Sequence, residues 1–155
     1  MPQQATILIM ADTVVSVLNG ATLSFPFTAE RWYVPVRDLK DMAGMNEPLV
    51  SVVPTKIDGE ILNRAGAYME TYLVAVGVQM VIGQGAMTNA QILAATDPLM
   101  YLVEEIVDLL VVTTIPSDPL AKCTDYTNEP IYAPAHLDEK RLFTSVLTFT
   151  FKLGR

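Results

Sequence analysis

The 155-residue chain is 51% hydrophobic, which suffices for one globular domain with a full core and no covalent staples. Ten Lys and Arg against seventeen Asp and Glu leave a net charge of -7, which excludes a protein that grips nucleic acid by neutralising phosphates. Only 17% of residues are charged, against roughly 25% in typical soluble domains, and the mean hydropathy is +0.34, so association is expected to hide apolar surface that folding leaves exposed.

The single Cys123 has no partner for an internal disulfide, and no C-x-x-C pair or Cys/His cluster offers a zinc site, a pattern that fits a reducing cytoplasm. The apolar N-terminal run has no Lys or Arg before it and is broken by Asp12, so neither a signal peptide nor a membrane helix is expected. In chain order, Ile7, Met10, Ala11, Val14 and Leu18 recur at helical spacing, predicting a core-packing helix from about Gln4 to Asn19 that stops at Gly20. Leu23, Phe25 and Phe27 then alternate with Thr22, Ser24 and Thr28, predicting a strand that Pro26 confines to an edge or bend. From Glu30 to Asp41 the pattern reads as strand, turn at Val34-Pro35, and one amphipathic helical turn holding Asp38, Leu39, Asp41 and Met42.

Leu49 to Ile57 predicts a second short strand that Pro54 ends or bulges, with a turn at Asp58-Gly59 and an irregular link or single helical turn over Ile61 to Ala67. The longest strand follows, from Tyr68 to Ile82. Its alternate faces, Tyr72, Val74, Val76 and Val78 on one side and Leu73, Ala75, Gly77 and Gln79 on the other, are both mostly apolar, so both need covering. Thr88 or Asn89 is read as capping a short helical segment. Asp97 as N-cap and Pro98 at the first helical position predict a separate helix to Val112 that covers one face of the long strand, the other face being left to a neighbouring molecule. Residues from about 116 to 139, rich in Pro, Asp, Thr and Asn, predict a long loop ordered by function or a partner. Leu142 to Lys152 closes the chain as an alternating strand, with Phe143, Leu147, Phe149 and Phe151 against Thr144, Thr148 and Thr150. The fold class expected is α+β over residues 1–155: a mainly antiparallel, mixed sheet with helices on one face.

Chemistry is sparse along this chain. His136 lies near Asp138 and Glu139, but no nucleophile or second nitrogen ligand stands at a recognisable spacing, so an ordinary surface histidine is expected. Gly83-Gln84-Gly85 follows a strand yet lacks the third glycine of a dinucleotide fingerprint and the Gly-Lys-Ser/Thr of a P-loop, which leaves a plain turn. Glu104, Glu105 and Asp108, with Asp97 upstream, share one helix face, and a solvated face or one that repels DNA is a simpler reading than a divalent-cation site. Trp32 and Tyr33 beside Arg31 can stack bases, but the net charge favours core or interface packing. No catalytic residue, metal ligand or cofactor-binding residue is assigned.

Arg31-Trp32-Tyr33-Val34-Pro35 with Asp38-Leu39, then Val50-Ser51-Val52-Val53-Pro54, then Arg64 leading into the long strand, the segment Leu99 to Leu110, and Phe143 to Lys152 together resemble the small neck and tail-completion proteins of tailed bacteriophages, most closely the tail terminators. The likeness spans most of the chain. It implies a structural α+β virion subunit, not an enzyme, that forms a homo-oligomeric ring, commonly a hexamer, assembled in the host cytoplasm. Such a ring caps the tail tube, joins it to the head connector, and lets genomic DNA pass without specific binding or membrane contact. The alternatives are a head-completion or stopper-type connector protein, a small divalent-metal enzyme using Glu104, Asp108 and Asp138, and a non-viral module whose sheet edge pairs with a partner strand.

Overall fold

The computed structural model describes residues 4–37, 47–83, 85–115, 121–129 and 131–154. The predicted helical turn at Asp38 to Met42 and the glycine-flanked Gln84 lie outside these residues. Helix α1 (Thr6–Gly20) and strand β1 (Ala29–Arg31) come first, followed by β2 (Leu49–Ile61), β3 (Tyr68–Val81), α2 (Asn89–Val111), β4 (Thr114–Ile115), β5 (Ala121–Asn128), α3 (Pro134–Lys140) and β6 (Leu142–Gly154). The strands form one mixed sheet in the order β1-β2-β3-β6-β5-β4, curled into a half-barrel. Only β1 runs parallel to its neighbour; the other ladders are antiparallel. The α+β class expected from the sequence is the observed one. Among the described residues, no helix is long and apolar enough to cross a membrane.

β3 is the axis of the sheet, paired along its length with β2 on one side and β6 on the other. Its Tyr72, Val74, Val76 and Val78 join Leu147, Phe149 and Phe151 of β6, the α1 stripe Met10, Ala11, Val14 and Leu18, and Leu99, Leu102, Ile106 and Leu110 of α2 in one buried core. These side chains align because antiparallel register sets Val76 opposite Leu147 and Val74 opposite Phe149, on one side of the pleat.

Several expectations are corrected, each for a local reason. Residues Leu23 to Phe27 join no ladder. Leu23, Phe25 and Phe27 do pack against the core while Ser24 and Thr28 stay exposed, so the alternation reports burial and not pairing; the Ser24 amide bonds instead to the Glu105 carboxylate. The polar Asn19, in the last turn of α1, holds β1 through both backbone groups of Ala29, donating to its O at 3.1 Å and accepting from its N at 2.7 Å. Asp58-Gly59 is not a turn: these residues lie within β2, opposite Thr71 and Glu70, after a register shift between Pro54 and Lys56. The hairpin closes instead at Asn63, whose Oδ1 accepts from the amides of Ala65 and Ala67, with Gly66 at φ 93°, a conformation only glycine adopts freely.

α2 is one continuous helix. Thr88 caps it by accepting from the Gln91 amide at 3.3 Å while Gln91 accepts from the Thr88 amide at 2.9 Å, and Pro98 lies inside it, so Asp97-Pro98 does not begin a second helix. The expected long loop is also overturned in its described part, since β5 and α3 occupy 121–128 and 134–140. β5 escaped notice because it joins β6 through backbone pairing, with a register shift between Cys123 and Asp125, while most of its side chains face solvent and carry no apolar alternation.

Candidate functional site

The second face of β3 determines which surfaces remain open. Ala75, Gly77 and Gln79 point away from α1 and α2, opposite Val53, Ser51 and Leu49 of β2, and all six are buried within the single chain. The expectation that a neighbouring molecule must cover this face is therefore corrected over its central stretch. Part of the cover is a strap formed by residues 32–37. The strap sits so close at Gly77 that a Cβ there would lie 2.0 Å from the Pro35 carbonyl oxygen. Two residues further on, fully buried Gln79 accepts from the Arg37 amide at 2.7 Å and donates to the Arg37 carbonyl at 3.2 Å. On the same face His136 of α3 shares a hydrogen bond of 2.8 Å between Nδ1 and Thr144 Oγ1. His136 is thus half-buried against the sheet and not a plain surface residue.

Anchored in this way, the strap presents an aromatic and apolar tip. Trp32, Tyr33 and Val34 are exposed, Tyr33 by 71%. Their neighbours hold them in place: the Arg37 guanidinium lies 3.7 Å from the centre of the Trp32 ring, Trp32 Nε1 donates to Glu30 at 3.3 Å, and Arg31, itself paired with Asp12 at 2.9 Å, reaches the Tyr33 hydroxyl. The expected choice between core and interface packing for Trp32 and Tyr33 resolves against the core.

Two further apolar surfaces lie at opposite ends of the sheet. At the end where β3 begins, the β2–β3 hairpin forms an arm whose β2 side is exposed from Thr55 onward, with Ile57, Ile61 and Leu62 among its exposed side chains. At the end where β3 finishes, Leu93 and Met100 of α2, Tyr132, and Leu137 of α3 wall a cleft of about 330 Å³. Ile131 is also exposed beside Tyr132.

The acids singled out from sequence do not converge. Glu104 and Asp108 are exposed on α2, whereas Glu105 is engaged by Ser24, accepting from its amide at 3.2 Å and from its hydroxyl. Among the described residues, no group of three His, Cys, Asp or Glu side chains is placed to hold a metal ion. Cys123 is half-buried in β5, and burial raises its thiol pKa above the ordinary value. The arm and cleft escaped the sequence reading because the arm continues past an apparent turn signal and the cleft joins residues from segments read as cap and loop. Comparison with protein-family models and with curated proteins returns no match.

Proposed function

We propose that this chain is a structural subunit of a tailed-phage neck, a tail terminator-type ring component that ends the tail tube and joins it to the head connector. The observation that carries the reading is the distribution of exposed apolar side chains over separate, well-anchored surfaces: the strap tip at Trp32 to Val34, the arm at Ile57, Ile61 and Leu62, and the cleft rim at Leu93, Ile131 and Tyr132. A ring subunit needs this arrangement, since it meets a neighbour on each side and other components above and below. A contact of ordinary size would bury about 1,200 to 2,000 Å² per interface. The net charge of -7 suits a channel through which DNA passes without sticking.

Sedimentation velocity and negative-stain electron microscopy of the purified chain test the proposal. Closed rings, and antibody label at the head–tail junction of virions, are the expected results. A chain that stays monomeric at high concentration, or label confined to another part of the virion, would overturn it.

A further inference from the structure

We infer that neighbouring copies join head to tail, the β2–β3 arm of one seating its Ile61-Leu62 tip in the cleft between α2 and α3 of the next. This inference rests on the ring reading and names the surfaces that build it. Ile61 is 83% exposed, the highest value for a large apolar side chain among the described residues, and Leu62 beside it is 54% exposed. The tip is also preorganised: Leu62 donates to the Ala67 carbonyl at 2.9 Å, and the Asn63 side chain closes the loop from within. A knob already fixed in shape loses little entropy when it docks.

The cleft offers the complement. Its volume of about 330 Å³ exceeds the roughly 150 Å³ that accommodates a benzene-sized apolar group. Its walls are mostly apolar, with the exposed carboxylate of Asp97 among them. An occupant must therefore bring aliphatic side chains flanked by a cationic donor. The arm brings both, because exposed Arg64 follows Leu62 by two residues and forms no ion pair among the described residues. Arg64 supplies a charge for Asp97.

The tip cannot fill the cleft of its own chain. The two lie at opposite ends of β3, whose fourteen residues at about 3.3 Å each hold them roughly 40 Å apart. Two different patches on one chain make a heterologous contact, which propagates around a ring.

The test uses the full chain in sedimentation velocity over a concentration series, with Ile61→Asp, Leu93→Asp, Arg64→Asp, Asp97→Arg and the Arg64→Asp/Asp97→Arg double variant. Circular dichroism confirms that each is folded, as expected for exposed positions. Each single variant should weaken self-association by about tenfold or more, and the charge-swapped pair should recover most of the loss. Mixing Ile61→Asp with Leu93→Asp protein should give heterodimers that grow no further, because one intact tip and one intact cleft remain between them. Wild-type rings with unaffected single variants, or no heterodimer in the mixture, would overturn the arm-in-cleft contact and leave the ring reading standing. A monomeric wild type would overturn both.

Discussion

Gln79 and Arg37, forty-two positions apart, are joined by a two-way hydrogen bond in which a fully buried side-chain amide replaces a strand partner for an isolated backbone. The amide suits this role because it both accepts from the Arg37 N–H and donates to its C=O. Gln79→Leu fills similar space but leaves both backbone groups without their partner, and should destabilise the fold by about 2–3 kcal/mol. Gln79→Glu keeps the acceptor but buries a charge and loses the donor, so it should be worse still at neutral pH. Urea unfolding midpoints of the two variants decide the order.

Gly77 permits the same strap to approach at Pro35. Gly77→Ala introduces a methyl group 2.0 Å from a backbone oxygen, too close for a side-chain rotation to relieve, so the strap must lift. The expected cost is about 1–3 kcal/mol, in the range of other overpacked sites. Trp32 is the only tryptophan, and it stacks on Arg37 at the end of the strap, so its fluorescence reports the displacement directly. Gly77→Ala should raise its accessibility to acrylamide while far-UV dichroism changes little. Unchanged quenching would mean that the strap adjusts without leaving the sheet.

The start of α2 separates two readings of one sequence. Asp97-Pro98 has the composition of a helix start, but the helix already runs from Asn89, capped by Thr88 and Gln91. Thr88→Ala should therefore cost about 1 kcal/mol. Asp97→Ala, at a mid-helix position exposed in the single chain, should stay within about 0.5 kcal/mol when measured at concentrations where the chain is monomeric. Pro98→Ala should stabilise by about 1–3 kcal/mol, because it restores a helical donor and removes the ring. Thermal denaturation of the three variants checks all of these at once.

What was legible in the sequence follows from which physical signal each element carries. α1 and β6 were visible because one buried face imposes a period, 3.6 in Met10, Val14 and Leu18 and 2 in Leu147, Phe149 and Phe151. β3 showed as a strand covered twice, but its second cover comes from residues close in space and remote in sequence, Pro35, Arg37 and His136, which no local pattern connects to Gly77, Gln79 and Thr144. β5 left no trace because it is held by backbone bonds to β6 while its Thr124, Asp125 and Tyr126 side chains remain in solvent. Of the candidate surfaces, Trp32 and Tyr33 stood out by residue type alone. The arm and the cleft required knowing where the hairpin turns.

Cys123 offers a chemical probe of β5. Burial is the largest influence on its thiol and raises its pKa, a backbone hydrogen bond at Asp125 opposes the rise, and the Asp125 charge adds to it. The native thiol therefore holds its proton more tightly than the unfolded one. This contribution to stability is fully present below the unfolded thiol's pKa and declines as pH rises from there through the folded value. Alkylation by iodoacetamide at mildly alkaline pH should be slower in the native protein than in urea, since the thiolate is the reacting form. Equal rates would place Cys123 in solvent and argue against the pairing of β5 with β6.

The acidic face of α2 divides into two roles that charge reversal can separate. Glu104 and Asp108 are exposed and make no ion pair among the described residues, whereas Glu105 fixes the segment after α1 by accepting from both the amide and the hydroxyl of Ser24. Glu105→Ala should cost about 1 kcal/mol, a modest figure because the bonds lie near solvent. Glu104→Ala should change stability by less than about 0.5 kcal/mol. Under the proposed neck function, a test of whether this face lines the DNA channel must therefore use Glu104→Lys/Asp108→Lys and leave Glu105 in place. If the face lines the channel, that variant should form particles of normal composition and release DNA poorly, because lysines bind the phosphates that carboxylates repel. Normal infectivity of the variant would assign the face to outer solvent, and loss of particle assembly would assign it to a subunit contact.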